Sequence, residues 1–267
     1  MARDKGRDNI TGRHRKVLPQ DRPREVYVFT EGEVTEPEFI EFVTAQGTRA
    51  QQGREVICSV ENLNAPTKRR KPLPLVDEAI GKWTEVEKAA KKAKLDPESW
   101  NWPQVWCLFD RDQHEDIPTA FSRARKAKLH VAYSHPCFEL WRLLHYQNYT
   151  STFGGVCDSA AGKLKSQHGF AQTYGPTISS VSPEQAKRVM PGQLRGKYKK
   201  ARQHAKQISA DHTGPDQNQW DPYTNVWSFV EDGLDEVPPA NWTAGVYAAG
   251  TKLCLSKDLV SSGVTYP

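Results

Sequence analysis

The chain has 267 residues, 37% of them hydrophobic and 26% charged, with a formal net charge of +5. Eight Trp, nine Tyr and nine Phe supply core material that a disordered chain lacks, and no apolar run approaches the roughly 18 residues of a membrane span. Five widely spread cysteines (Cys58, Cys107, Cys137, Cys157, Cys254) without a CxxC pair argue against a structural zinc site and against a disulfide framework.

Residues 1–23 read as a basic flexible arm. Positions 1–24 hold eight Lys or Arg against three Asp, which equals the whole net charge. Such an arm is either a solvated tail or a contact for nucleic-acid phosphates. It has no apolar h-region of a secretory signal, so a cytoplasmic protein is expected.

A strand follows at Arg24–Thr30, then a break at Glu31-Gly32-Glu33. Thr35-Glu36-Pro37-Glu38 opens a helix, with Thr35 as its cap and acids at the positive end of the dipole. A second strand covers Arg54–Glu61. Residues 62–74 form a loop carrying Lys68-Arg69-Arg70-Lys71, and a long amphipathic helix carries Val76, Ile80, Trp83, Val86 and Ala90. Gln104–Phe109 is a near-continuous apolar run, the pattern of a strand buried on both faces, and it ends at Asp110. A helix over Glu115–Lys128, a strand over Leu129–Tyr133 and a helix in CFELWRLLHY (residues 137–146) come next. Residues 150–192 are rich in Gly and Ser and poorly periodic, and read as an insertion or a partly mobile region. Leu194–Ile208 reads as one amphipathic helix, Tyr223–Gly233 as another, and residues 235–267 as a tail with weak strand character.

Strands alternating with helices specify an α/β fold with a largely parallel sheet, whose ligands bind at the carboxyl ends of strands. Glu31 stands at one such end and Asp110 and Asp112 at another. No GxGxxG, GxSxG or HExxH occurs. The nearest approach to a P-loop, Gly162-Lys163, lacks both the first glycine and the hydroxyl residue. What remains is carboxylate chemistry. Alternate residues at a strand end can point both aspartates into one pocket, and Glu31 would complete a three-acid cluster for a hard cation such as Mg²⁺ or Mn²⁺.

VFTEGEVTEPEF (residues 28–39), VWCLFDRDQH (105–114), SHPCFELWRLLHY (134–146) and DPYTNVWSFVE (221–231) together resemble the RloB-like family over roughly residues 24–234. That resemblance implies a Toprim-like domain at 24–149 with an appended, mostly helical region at 150–234. It implies Glu31, Asp110 and Asp112 as metal ligands and catalytic acids. It further implies an Mg²⁺-dependent endonuclease, with RNA such as tRNA favoured over DNA. The setting implied is an antiviral abortive-infection effector beside an ATPase partner, with homo-oligomers an open expectation. The rival reading is a non-catalytic nucleic-acid-binding or partner-docking subunit.

Further candidates carry two readings each. Glu139 has Arg142 and Tyr146 on its own helix face: either a Glu–Arg pair facing solvent or another acid in the pocket. His145 is a core or a catalytic histidine. His114, two residues past Asp112, is a loop histidine or a catalytic group, and Glu33 a metal ligand or a bystander. Arg195, Lys199, Arg202 and Lys206 repeat one residue behind the apolar stripe of their helix. With Lys68, Arg69, Arg70 and Arg111 they form either solvated faces or a phosphate track.

Overall fold

The computed structural model describes residues 18–46, 53–214 and 216–235, and the backbone of 252–253. The first seventeen residues of the predicted arm, and all of the tail past Asp235 except that pair, lie outside the described residues. The elements are β1 (Arg24–Thr30), α1 (Thr35–Gln46), β2 (Val56–Val60), α2 (Thr67–Arg70), α3 (Pro72–Lys92), β3 (Gln104–Asp110), α4 (Ile117–Lys126), β4 (His130–His135) and α5 (Phe138–Leu144). They continue with α6 (Cys157–Lys165), α7 (Pro183–Ala186), α8 (Pro191–Leu194), α9 (Tyr198–Ala210), β5 (Tyr223–Thr224), α10 (Val226–Ser228) and β6 (Lys252–Leu253).

The sheet order is β5-β4-β3-β1-β2-β6. Every pairing is parallel except β4 with β5. From β1 the chain crosses outward to β2, returns through α3 to β3 on the other side of β1, and then crosses outward again to β4. The order therefore reverses between β1 and β3, the place where an open α/β sheet leaves a crevice at its carboxyl edge.

Alternation along the strands sorts side chains onto two faces. Val26, Val28, Trp106, Leu108 and Ala132 join one buried cluster with residues of α1, α5, α6 and α9. Phe29, Val105, Cys107, Phe109 and Tyr133 join a second with α3 and α4. The sheet is thus covered on both sides, which is why β3 reads as an unbroken apolar run.

Residues 150–192, read from sequence as an insertion or a partly mobile region, contribute to the core. Phe153, Ala160, Leu164, Phe170 and Val189 are buried in the first cluster. Asp221 fixes the start of this region, its carboxylate accepting from Thr152 Oγ1 at 2.7 Å and the Gly155 N–H at 2.9 Å. The predicted helix at 194–208 is split. Gly196, at φ +73°, interrupts it after α8, and α9 starts at Tyr198. The predicted helix at 223–233 instead begins as β5, which pairs with β4, before turning helical. Cys137 and Cys157 are joined by a disulfide that links the start of α5 to the start of α6, against the expectation from sequence. Among the described residues no helix is long and apolar enough to cross a membrane.

Candidate active site

Glu31 follows β1 and Asp110 ends β3, on adjacent strands. Glu31 is held tightly. Its Oε2 accepts from the Asp110 N–H at 2.8 Å, and its Oε1 lies 2.6 Å from His114 Nε2. That bond to Glu31 is the main cause raising the His114 pKa. Asp110 in turn accepts the Phe138 N–H at 2.9 Å, at the start of α5. A backbone N–H of one strand therefore grips the acid of its neighbour, and the next helix grips the second acid.

One cavity of about 420 Å³ collects these groups. Its walls include Glu31, Glu36, Asp110, Asp112 and Glu139, with Glu33 at its exposed margin. Asp112 lies past the end of β3 at φ +32° and is exposed, so it faces the cavity from the lip and not from the strand. Glu139 enters from α5. Arg142 does not lie on a solvated face as one reading had it. It is fully buried, and donates to the carbonyls of Ala186 at 2.6 Å and Arg188 at 3.0 Å and to Gln193 Oε1 at 2.7 Å. Glu139 Oε1 sits 3.7 Å from it.

Glu36 is the residue that the sequence reading left at the helix terminus. It is 3% exposed, and its Oε1 accepts the Gly32 N–H at 2.9 Å. A Cβ on Gly32 would stand 1.8 Å from Glu36 Oε2, so this close approach requires glycine. Burial, with the nearby charges of Glu139 and Glu31, pushes the Glu36 pKa up to about 7, against the pull of its backbone hydrogen bonds. Burial also raises the Asp110 pKa well above its ordinary value, and Glu36, Glu31 and Glu139 add to it. Among the described residues Asp110, Asp112 and Glu36 have no ion-pair partner. Thr35 does not cap α1. Its hydroxyl donates to the Lys187 carbonyl at 2.9 Å and ties the helix to the segment after α7.

The cavity lining also includes Arg70 and Lys187, but its acids suit a hard divalent cation: same-signed carboxylates, two of them raised in pKa by burial first and by mutual repulsion second. No three of these carboxylates bring an oxygen each within 4.8 Å of one another among the described residues. The one trio of potential ligand atoms that does is Cys137, Glu139 and Cys157, whose sulfurs are bonded to each other.

Several sequence candidates make contacts within the protein. Arg70 is 2% exposed, although it also lines the cavity. It donates to the carbonyls of Ala65 at 3.0 Å, Leu63 at 2.6 Å, Thr30 at 3.3 Å and Gly32 at 3.1 Å, and so clamps the loop that carries Glu31. Arg70→Ala should strand these buried acceptors and cost about 3 kcal/mol of stability, measured by urea unfolding. A variant as stable as the parent would show that water replaces the clamp. Arg111 turns onto its own loop, donating to the His114 carbonyl at 2.6 Å. Arg202 pairs with Glu231 at 2.9 Å, and Lys206 lies 4.2 Å from the Trp227 ring centre. Arg69 pairs with Glu78. Lys68, Arg195 and Lys199 remain exposed. His145 is a core histidine, bonded to the Trp141 carbonyl at 2.9 Å and lowered to about 3 by burial.

A family model described as RloB-like protein matches residues 26–232, most of the chain. This protein belongs to the RloB-like family. No curated protein and no solved structure matches it. Every cavity acid named above lies within the matched span of the RloB-like chain.

Proposed function

We propose that this RloB-like protein is a metal-dependent endonuclease of the Toprim type, hydrolysing phosphodiester bonds of nucleic acid, with RNA favoured. The observation that carries the reading is the pair Glu31 and Asp110. They leave adjacent parallel strands at the reversal of strand order and open into one cavity with four more carboxylates, Glu33, Glu36, Asp112 and Glu139. Proteins seldom gather unpaired acids there unless a cation or a mechanism uses them.

Glu31, Asp110 and Asp112 would hold Mg²⁺ or Mn²⁺. Bound there, the ion supplies Lewis acidity toward the phosphate and compensates charge on the attacking and leaving oxygens. Glu31 would either share in holding the ion or act as general base on the attacking water. His114, at 2.6 Å, fixes the orientation of its carboxylate and offers the onward path for the proton. Glu139 and Glu36 line the walls and keep the site selective for cations. We also read the protein, from its family resemblance, as the effector of an abortive-infection pair whose ATPase partner controls it.

Purified protein with Mn²⁺ or Mg²⁺ should cut labelled tRNA, and more slowly single-stranded or duplex DNA, with all cleavage lost in EDTA. Tight, salt-sensitive binding to these substrates without any cleavage would favour the non-catalytic subunit instead.

A further inference from the structure

At the opposite end of the same strands lies a second cavity, of about 550 Å³. Arg24, Arg54 and Lys128 line it together with Trp83, Trp100 and Trp102. Arg24 begins β1, and Gln104 and His130, which also border it, begin β3 and β4. Its floor is therefore the amino edge of the sheet. β3 has seven residues, so this cavity lies on the order of 20 Å from the carboxylates.

Its chemistry is largely the reverse of the acidic site, with Glu98 the one carboxylate in its lining. The Arg54 guanidinium lies 5.0 Å from the centre of the Trp100 ring, and that of Arg24 lies 5.8 Å from it. Trp83 and Trp102 meet edge to face at 6.4 Å. All three indoles are half-buried, whereas the core tryptophans Trp106 and Trp141 are 2% and 0% exposed. Among the described residues neither Arg54 nor Lys128 has an ion-pair partner.

The wall is also built in advance. Asn101 is 1% exposed, and its side-chain nitrogen donates to the carbonyls of Pro19 at 2.8 Å and Arg22 at 3.0 Å. Its Oδ1 accepts from Ser99 Oγ at 2.8 Å. One buried amide thus pins the loop carrying Trp100 and Trp102 to the chain just before β1. Indole faces held in place beside Arg54 and Lys128 cost little to order on binding.

Flat aromatic surface beside cations fits a ligand with a flat ring and a phosphate. Stacking tolerates any base, and the cations meet the backbone. We propose that this cavity binds a nucleotide unit of single-stranded nucleic acid, its base on the tryptophans and its phosphate at Arg54 and Lys128. The proposal goes beyond the cleavage reading and stands as a binding site whether or not the acidic cavity cuts. If both hold, a single strand running round the sheet reaches both ends, and this cavity sets where the strand is anchored.

The test is binding of labelled oligo(U) and oligo(dT) to the full chain in EDTA, where metal-dependent cleavage is off. Binding should quench tryptophan fluorescence. Trp100→Ala and Arg54→Gln should each weaken it about tenfold, the scale of one lost stacked base or phosphate contact. An abasic strand of equal length should bind the parent about as weakly as the oligonucleotides bind Trp100→Ala. If Trp100→Ala fails to fold, Trp100→Phe should keep most of the affinity but lose part of the quench, and Arg54→Gln carries the affinity test. Equal affinity of parent and variants, or equal binding of abasic and base-carrying strands, overturns the proposal. Either result leaves the cleavage reading untouched, because the measurement involves no cleavage.

Discussion

Asp110→Asn should leave the protein folded, raise its melting temperature at pH 8 by a few degrees in the absence of metal, and abolish cleavage. The stability gain follows from charge. Asp110 is pressed on by burial and by Glu36, Glu31 and Glu139 in turn, so its ionised form is disfavoured in the fold. A carboxyl whose folded pKa is raised stabilises fully below its ordinary pKa and loses that contribution as pH climbs through the raised value. The amide carries no charge to repel, and its oxygen still accepts the Phe138 N–H. Glu36→Gln should behave alike in stability. Its shift from 4.5 to about 7 corresponds to roughly 3 kcal/mol between low and high pH. The parent should therefore lose stability between about pH 4 and pH 8 relative to Glu36→Gln, and lose it as pH rises relative to Asp110→Asn, read by thermal melts. Cleavage should fall at least a thousandfold for Asp110→Asn. An unfolded Asp110→Asn would make the aspartate a structural partner of α5, and a folded variant with full cleavage would remove it from the mechanism.

The main frame was legible because it rests on local patterns. The apolar alternation in REVYVFT and the continuous run QVWCLF predicted β1 and β3 to within a residue. The acids then fell at strand ends, which placed Glu31 and Asp110 at one edge before any geometry was known. Residues 150–192 were not legible, because their order comes from far away. Phe153, Ala160 and Phe170 lie on elements of nine residues or fewer or between them, too short to show a period. Their backbone is held by Asp221 and Arg142, single side chains distant in sequence. The Cys137–Cys157 bond escaped the cysteine count for the same reason, since spacing does not reveal which loop brings two sulfurs together.

Within the site the misses share one cause: a charged residue has two directions to point, and only tertiary packing chooses. Arg70 sits in a basic run that suggested a solvent face, yet it turns inward to the carbonyls of the Glu31 loop. Glu36 satisfies the dipole rule for a helix start, and that local explanation hid its place in the cavity. Gly32 held the available clue, because a glycine three residues before a helix leaves room for a carboxylate to fold back over it. Asp112 shows the opposite error. The alternation argument assumed that the strand ran on past Asp110, but it ends there, and the second aspartate reaches the cavity from a turn.

Mg²⁺ should stabilise the protein in a pH-dependent way, and this separates a cation site from an accidental crowd of acids. Ligands must be deprotonated to bind, so the ion competes with the proton that burial and repulsion place on Asp110. At pH 8 protons compete less, and free Mg²⁺ at about a hundred times its dissociation constant should add about 2.7 kcal/mol, or roughly 5–10 °C in Tm. At pH 5.5 Glu36, raised to about 7, is protonated, and the Asp110 carboxyl retains its proton more strongly. The shift should then shrink to about a third or less. The sign is the reverse of the metal-free protein, which grows more stable toward acid as these two groups take up protons. In Asp110→Asn the Mg²⁺ shift should vanish at both pH values, since one of the three ligands is lost. A shift that is equal at pH 5.5 and pH 8, or one that survives intact in Asp110→Asn, would place the cation elsewhere on the surface and leave the cavity acids without a metal role.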